Sequence, residues 1–143
     1  MNKQRAIQIA FFLLRVVAGF LFFQAGAMKF GLYGGMPGGA TPPFLSQLWI
    51  GAVLEIIGGI AIVLGLFARP VAFLLAGEMA VAYWQFHAPQ GTWPIQNQGQ
   101  PAVLFCFIFL YLAAAGAGDW SLDALLARKL RKVDDTKPAA PST

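Results

Sequence analysis

A chain of 143 residues is of single-domain length, but 58% of it is hydrophobic and only 11% is Asp, Glu, Lys or Arg, well under half the roughly 25% charge of a soluble domain. So much apolar surface cannot be hidden from water by so short a chain, and lipid is therefore its expected solvent. The net charge of +4 gathers at the ends, in Lys3 and Arg5 and in Arg128, Lys129, Arg131, Lys132 and Lys137. Such clusters beside apolar runs set topology or touch anionic headgroups, and without a basic globular face they argue against nucleic acid as a partner.

The first apolar run covers residues 6–30. Its basic start and Ala25-Gly26-Ala27 resemble a cleavable signal, but Arg15 divides the run into short pieces, so a retained helix is expected. Residues 31–43 (GLYGGMPGGATPP) form a Gly/Pro-rich loop that no helix continues through. A second run covers 44–67 and ends in the turn Ala68-Arg69-Pro70, with Pro70 suited to the first position of the next helix. A third covers 70–86, a polar loop follows over 87–100 (HAPQGTWPIQNQGQ), and a fourth run covers 101–117. A spanning helix needs about 17–25 residues, so the last two lie at the short end of that range.

Residues 119–130 predict a short amphipathic helix, capped by Ser121, with Leu122, Leu125, Leu126 and Leu130 on one side. Disorder is expected over the last eight or so residues. Strand alternation is absent, and the lone Cys106 reads as a small buried hydrophobe with no disulfide partner in the chain.

The sequence thus predicts an all-α fold: a four-transmembrane-helix bundle with short loops and a cytoplasmic amphipathic C-terminal segment. The membrane domain is expected over 1–127 and a basic, disordered tail over 128–143. Lys and Arg concentrate at the N-terminus, at Arg69 and in the C-terminal tail, which places both termini in the cytoplasm by the positive-inside rule.

Arg15, Lys29, Glu55 and Glu78 fall inside the predicted spans. Each costs about 2.5–3.5 kcal/mol at the centre of a membrane helix, so each is expected to face the bundle interior and pair, or to line a wet cavity. A rise of about 1.5 Å per residue puts Arg15 roughly 14 Å, Glu78 roughly 12 Å and Glu55 roughly 18 Å from the cytoplasmic boundary. These three are therefore expected to meet near mid-membrane, with Lys29 toward the outer surface on the side of His87. Helical spacing aligns Arg15, Gly19, Phe22, Gly26 and Lys29 on one stripe, Gly51, Glu55, Gly58 and Ile62 on a second, and Glu78, Ala82 and Gln85 on a third. Such a set serves either as an internal salt-bridge network or as a site for a polar headgroup, such as a quinone, or a proton path.

These residues also carry a resemblance over most of the chain. Arg15, Gly19, Gly26 and Lys29, then Glu55-x-x-Gly58-Gly59, Leu64-Gly65-Leu66 and Arg69, make the first half of an ordered set. Gly77 through Ala82, His87-Ala88-Pro89, Asn97-x-Gly99, Phe109-Leu110-Tyr111-Leu112, Gly116 and Ser121-Leu122-Asp123 complete it. The set resembles the DoxX family of small four-helix membrane proteins. Where many members resemble Asn-Gly-Gly-Glu before the fourth helix, this chain has Asn97-Gln98-Gly99-Gln100, and Gln100 cannot relay a proton.

The resemblance implies a role beside membrane redox chemistry: sulfur oxidation coupled to quinone, quinol oxidase assemblies, or thiol-stress complexes. The expectation is a small or accessory subunit in the bacterial inner membrane, associated with a soluble or membrane oxidoreductase subunit and with quinone as the cofactor. No residue reads as catalytic and no metal site is expected. The binding candidates are Arg15, Glu55, Glu78, Lys29, His87, Asn97 and Gln100. The alternatives from other classes are a proton-coupled small-molecule carrier, including a channel-forming homo-oligomer, and a purely structural membrane subunit.

Overall fold

The computed structural model of the chain describes residues 2–135, and it is helical throughout, with no strand among the described residues. Five α-helices follow one another: α1 (Lys3–Lys29), α2 (Gln47–Leu64), α3 (Ala68–Ala82), α4 (Gln100–Ala115) and α5 (Leu122–Asp135). α1 and α2 are long and apolar enough to cross a membrane, and α4 is shorter but equally apolar in character. Ile57, Phe73, Leu104 and Phe107 are 63–68% exposed on the outside of the bundle, an arrangement suited to a hydrocarbon solvent.

Local chemistry sets the helix ends. The Asn2 side chain accepts from the Arg5 N–H at 3.0 Å and opens α1. Ser46 does the same for Trp49 at 3.2 Å, so α2 begins three residues after the start of its apolar run. Gly65, at φ 65°, closes α2: its N–H donates to the Ile62 carbonyl and that of Leu66 to the Ala61 carbonyl, the paired bonds of a Schellman end.

α3 starts at Ala68, two residues before the expected Pro70. The N–H groups of Phe67 and Ala68 donate to the Asp123 carboxylate at 2.8 and 2.9 Å, so a distant side chain caps the helix. Pro70 then sits within the first turn, where a missing N–H removes no intrahelical bond. Beyond Ala82 the chain continues helically through a π turn at Tyr83–His87.

α1 and α2 form one antiparallel hairpin whose axes approach closely through glycine. A Cβ on Gly19 would lie 2.8 Å from the Gly59 carbonyl oxygen, and one on Gly59 2.7 Å from that of Gly19. α3 and α4 form the second tight pair, and the seam between α2 and α3 is looser. Phe22, Ile62, Leu75, Phe109 and Leu112 fill the centre, with Phe22 and Phe109 edge-to-face at 4.7 Å.

α5 corrects the expected tail. Ser121 caps it through the Ala124 N–H at 3.2 Å, as the sequence predicts, but the helix runs on through Asp135, past the point at which a loose tail was expected. The disorder expected for the last eight residues lies outside the described residues.

Candidate functional site

The four charges of the predicted spans divide into two groups at opposite ends of the bundle, rather than meeting in one centre. The cause is the register of the α1–α2 hairpin: Gly19 packs against Gly59 and Gly26 against Ala52 and Glu55, so Arg15 lies level with the last turn of α2 and Lys29 with its first half. The tilt of side chains toward the helix N-terminus adds to the separation, taking Arg15 further from Glu55 and Lys29 toward it. The expectation that Arg15 joins Glu55 and Glu78 is therefore corrected.

Arg15 is 1% exposed, and its guanidinium serves the backbone. Nη1 donates to the carbonyls of Ile62 and Val63 at 2.7 and 2.8 Å, and Nη2 to that of Trp120 at 2.6 Å. The first two are carbonyls of the last turn of α2, where a cation also complements the helix dipole. The Asp123 N–H donates to the Gly65 carbonyl at 3.0 Å, and Ser121 Oγ to that of Gly118 at 2.6 Å. Arg15, the α2–α3 turn and residues 118–123 thus form a clasp that is structural in character. Gly65 is required there, because a Cβ would lie 2.5 Å from both Arg15 Nη1 and Ser121 Cβ.

At the other end Lys29 Nζ and Glu55 Oε2 form an ion pair at 2.5 Å, with the side chains 19% and 5% exposed. Glu78, from α3, lines the same cavity as this pair. Its Oε1 sits against Gly51, where a Cβ would lie 3.1 Å away, and its Oε2 is buried without a hydrogen-bond partner. The group holds two carboxylates and one ammonium.

These three side chains line a cavity of about 720 Å³ in the α2–α3 seam. Its walls are mostly apolar: Phe73, Leu74, Val81 and Phe86 toward the outside, Phe22, Leu54 and Ala102 toward the core. Gly51, Gly77 and Ala82 leave the space, and a Cβ on Gly77 would meet nothing within 4 Å. Gln47 and Gln85, hydrogen-bonded to each other, bridge α2 and α3 near one end of the seam. A cavity of this size and character suits a lipophilic molecule with a small polar head.

His87 lines the same cavity. On an unbroken α-helix it would fall about half a turn from the face of Glu78. The wider π turn at Tyr83–His87 rotates it back, and π turns of this kind recur at functional sites. Its Nδ1 lies 3.0 Å from the Asn97 carbonyl oxygen, and its ring stacks on Tyr83.

Asn97 is 1% exposed and organises its own loop, donating to the Gly91 carbonyl at 2.9 Å and accepting from the Gly99 N–H at 2.9 Å. Gln100 is exposed at the start of α4 and does not line the cavity, although its neighbours Pro101 and Ala102 do. Of the seven candidates the structure brings Lys29, Glu55, Glu78 and His87 together. It gives Arg15 and Asn97 scaffold roles and leaves Gln100 apart.

Sequence reasoning missed the capping role of Asp123, although Ser121-Leu122-Asp123 was among the resemblance-bearing residues. A contact between residues this far apart leaves no periodic signal. No group of three or more His, Cys, Asp or Glu able to hold a metal ion exists among the described residues.

Comparison with known proteins gives a family and two relatives. A family model described as DoxX matches residues 10–88. An uncharacterized protein of Haemophilus influenzae is 38% identical over 133 residues, which cover 90% of this chain and 98% of that protein. Inner membrane protein YqjF of Escherichia coli is 31% identical over 119 residues, 80% of this chain and 90% of that protein. No solved structure matches.

Proposed function

The chain belongs to the DoxX family and is a membrane protein, and on that premise we propose that it is a small accessory subunit of a quinone-linked redox system in the bacterial inner membrane. The observation that carries this reading is the cavity of about 720 Å³ whose apolar walls end on Lys29, Glu55, Glu78 and His87. An isoprenoid or alkyl tail fits the apolar mouth in the α2–α3 seam. A quinone ring fits the polar end, where the Lys29 ammonium can donate to a carbonyl oxygen, while His87, whose Nδ1–H faces the Asn97 carbonyl, offers Nε2 as an acceptor for the hydroxyl of the reduced form. The chain supplies binding and orientation, and the electrons belong to a partner oxidoreductase.

The membrane arrangement belongs to the same reading. Four spans, built on α1, α2, α3 with its π turn, and α4, place both termini in the cytoplasm, with α5 and the basic tail on the inner surface. Residues 1–127 form the membrane domain. The positive charge of the N-terminus, Arg69 and the C-terminal segment supports this orientation.

The test is a thermal melt of the detergent-purified protein with and without short-chain ubiquinone, together with a mild-detergent pull-down from native membranes. We expect a concentration-dependent rise in melting temperature, and a redox enzyme in the eluate. No protection by quinone and no co-purifying oxidoreductase would remove the proposal's basis.

A further inference from the structure

The quinone reading leaves one charge over. Lys29 is taken by Glu55 at 2.5 Å, and among the described residues no second Lys or Arg lines the cavity beside Glu78. The groups that face Glu78 are Lys29 from α1, Glu55 from α2 and His87 from the turn that ends α3; the lining residues from α4, namely Pro101, Ala102 and Phe105, carry no charge. With a neutral His87 the cavity therefore holds two carboxylates against one ammonium. Glu78 Oε2 is buried with no hydrogen-bond partner, and an uncompensated carboxylate in apolar surroundings is costly. A neutral quinone does nothing for that charge.

We propose that the cavity between α2 and α3 is also a binding site for a lipophilic monocation, such as a hydrophobic amine or an aromatic quaternary cation, with the Glu78 carboxylate as its counter-ion.

Three features fit this ligand class beyond the charge count. The mouth is bounded by Ile50, Phe73, Leu74 and Val81, all 46–68% exposed on the apolar outside of the bundle, so the ligand arrives through lipid. Phe22, Phe73, Phe86 and Phe105 line the walls, an aromatic surround of the kind that attracts a cation. The open space at Gly77, which lines the same cavity one residue before Glu78, keeps that part of the wall free of side-chain bulk. A proton and the cation then compete for one carboxylate, so occupancy by one excludes the other. The Lys29–Glu55 pair stays intact throughout and keeps Glu55 from serving as a second acceptor.

The probe is tetraphenylphosphonium, a permanent monocation that cannot itself titrate. Its binding to the full-length protein in detergent is measured by equilibrium dialysis between pH 6 and pH 9, for the wild type, Glu78→Gln and Gly77→Leu. The wild type is expected to bind one cation per chain, more tightly as the pH rises. Glu78→Gln, which keeps shape and removes charge, should weaken binding by about tenfold or more and abolish the pH dependence. Gly77→Leu adds bulk in open space on a helix, so it should fold normally and block binding sterically. Absence of saturable binding to a wild type that melts cooperatively overturns the proposal, as does equal affinity in Glu78→Gln. Short-chain ubiquinone added as a competitor bears on the quinone reading alone: its failure to displace the cation speaks against quinone in this cavity and leaves the cation site standing.

Discussion

The Lys29–Glu55 pair is where single residues matter most. Glu55 is 4% exposed, and its carboxylate has the Lys29 ammonium as its ion-pair partner. Removing one member of a buried pair strands the other, at a cost of about 3–5 kcal/mol, whereas removing both is far milder. Lys29→Met and Glu55→Gln should each lower stability strongly in a denaturant titration in mixed micelles. The double variant should recover most of that loss, and additive losses would mean that the pair is not coupled. The need of these charges for partners was legible in the sequence. Their pairing was not, because counting each helix from the start of its apolar run does not give the register between helices: Gly19 lies against Gly59 and Gly26 against Glu55, which sets Arg15 beside the end of α2 and Lys29 beside Glu55.

At the scale of the element, the α1–α2 hairpin depends on glycine being absent of side chain. Gly59 lies against the backbone of Gly19 and Phe23, where a Cβ would come within 2.7 Å of the Gly19 carbonyl oxygen and of the Phe23 nitrogen, and backbone cannot move aside. Gly59→Leu should prevent the hairpin from closing and leave little folded protein by size-exclusion chromatography. Gly77→Ala should be neutral or stabilising by up to about 1 kcal/mol, because a Cβ there meets nothing and alanine favours helix. Similar loss in both variants would contradict the packing described. The small-residue stripes on α1 and α2 were readable from spacing, and the buried faces follow them: Arg15, Gly19, Phe22 and Gly26, then Glu55, Gly58 and Ile62. The stripe of Glu78, Ala82 and Gln85 behaves differently. α3 buries Ala72, Leu75, Ala76 and Met79 instead, and its polar stripe faces the open seam. Spacing alone gives a face, and the packing of α3 on α4 decides which face is covered. The π turn was likewise invisible, since Tyr83–His87 reads as ordinary helix.

For the whole molecule, the sequence carried the helical class and the membrane setting in its composition alone. It did not carry the division into two hairpins with a cavity in the seam between α2 and α3, which depends on how four helices choose partners. The proposed orientation makes a separate prediction. An alkaline phosphatase fusion after Asn97 should be active and one after Arg69 inactive, and the reverse pattern would invert the bundle. If the seam cavity ending on Lys29, Glu55 and Glu78 is the functional site, a quinone must enter it in the membrane. Photo-crosslinking in native membranes with an azido-quinone, followed by peptide mapping, should then label the cavity walls, in the stretch from Phe73 to Phe86 and around Phe105, with the label reduced by excess unlabelled quinone. Labelling spread over the outer apolar surface and indifferent to competitor would rule the cavity out as the quinone site.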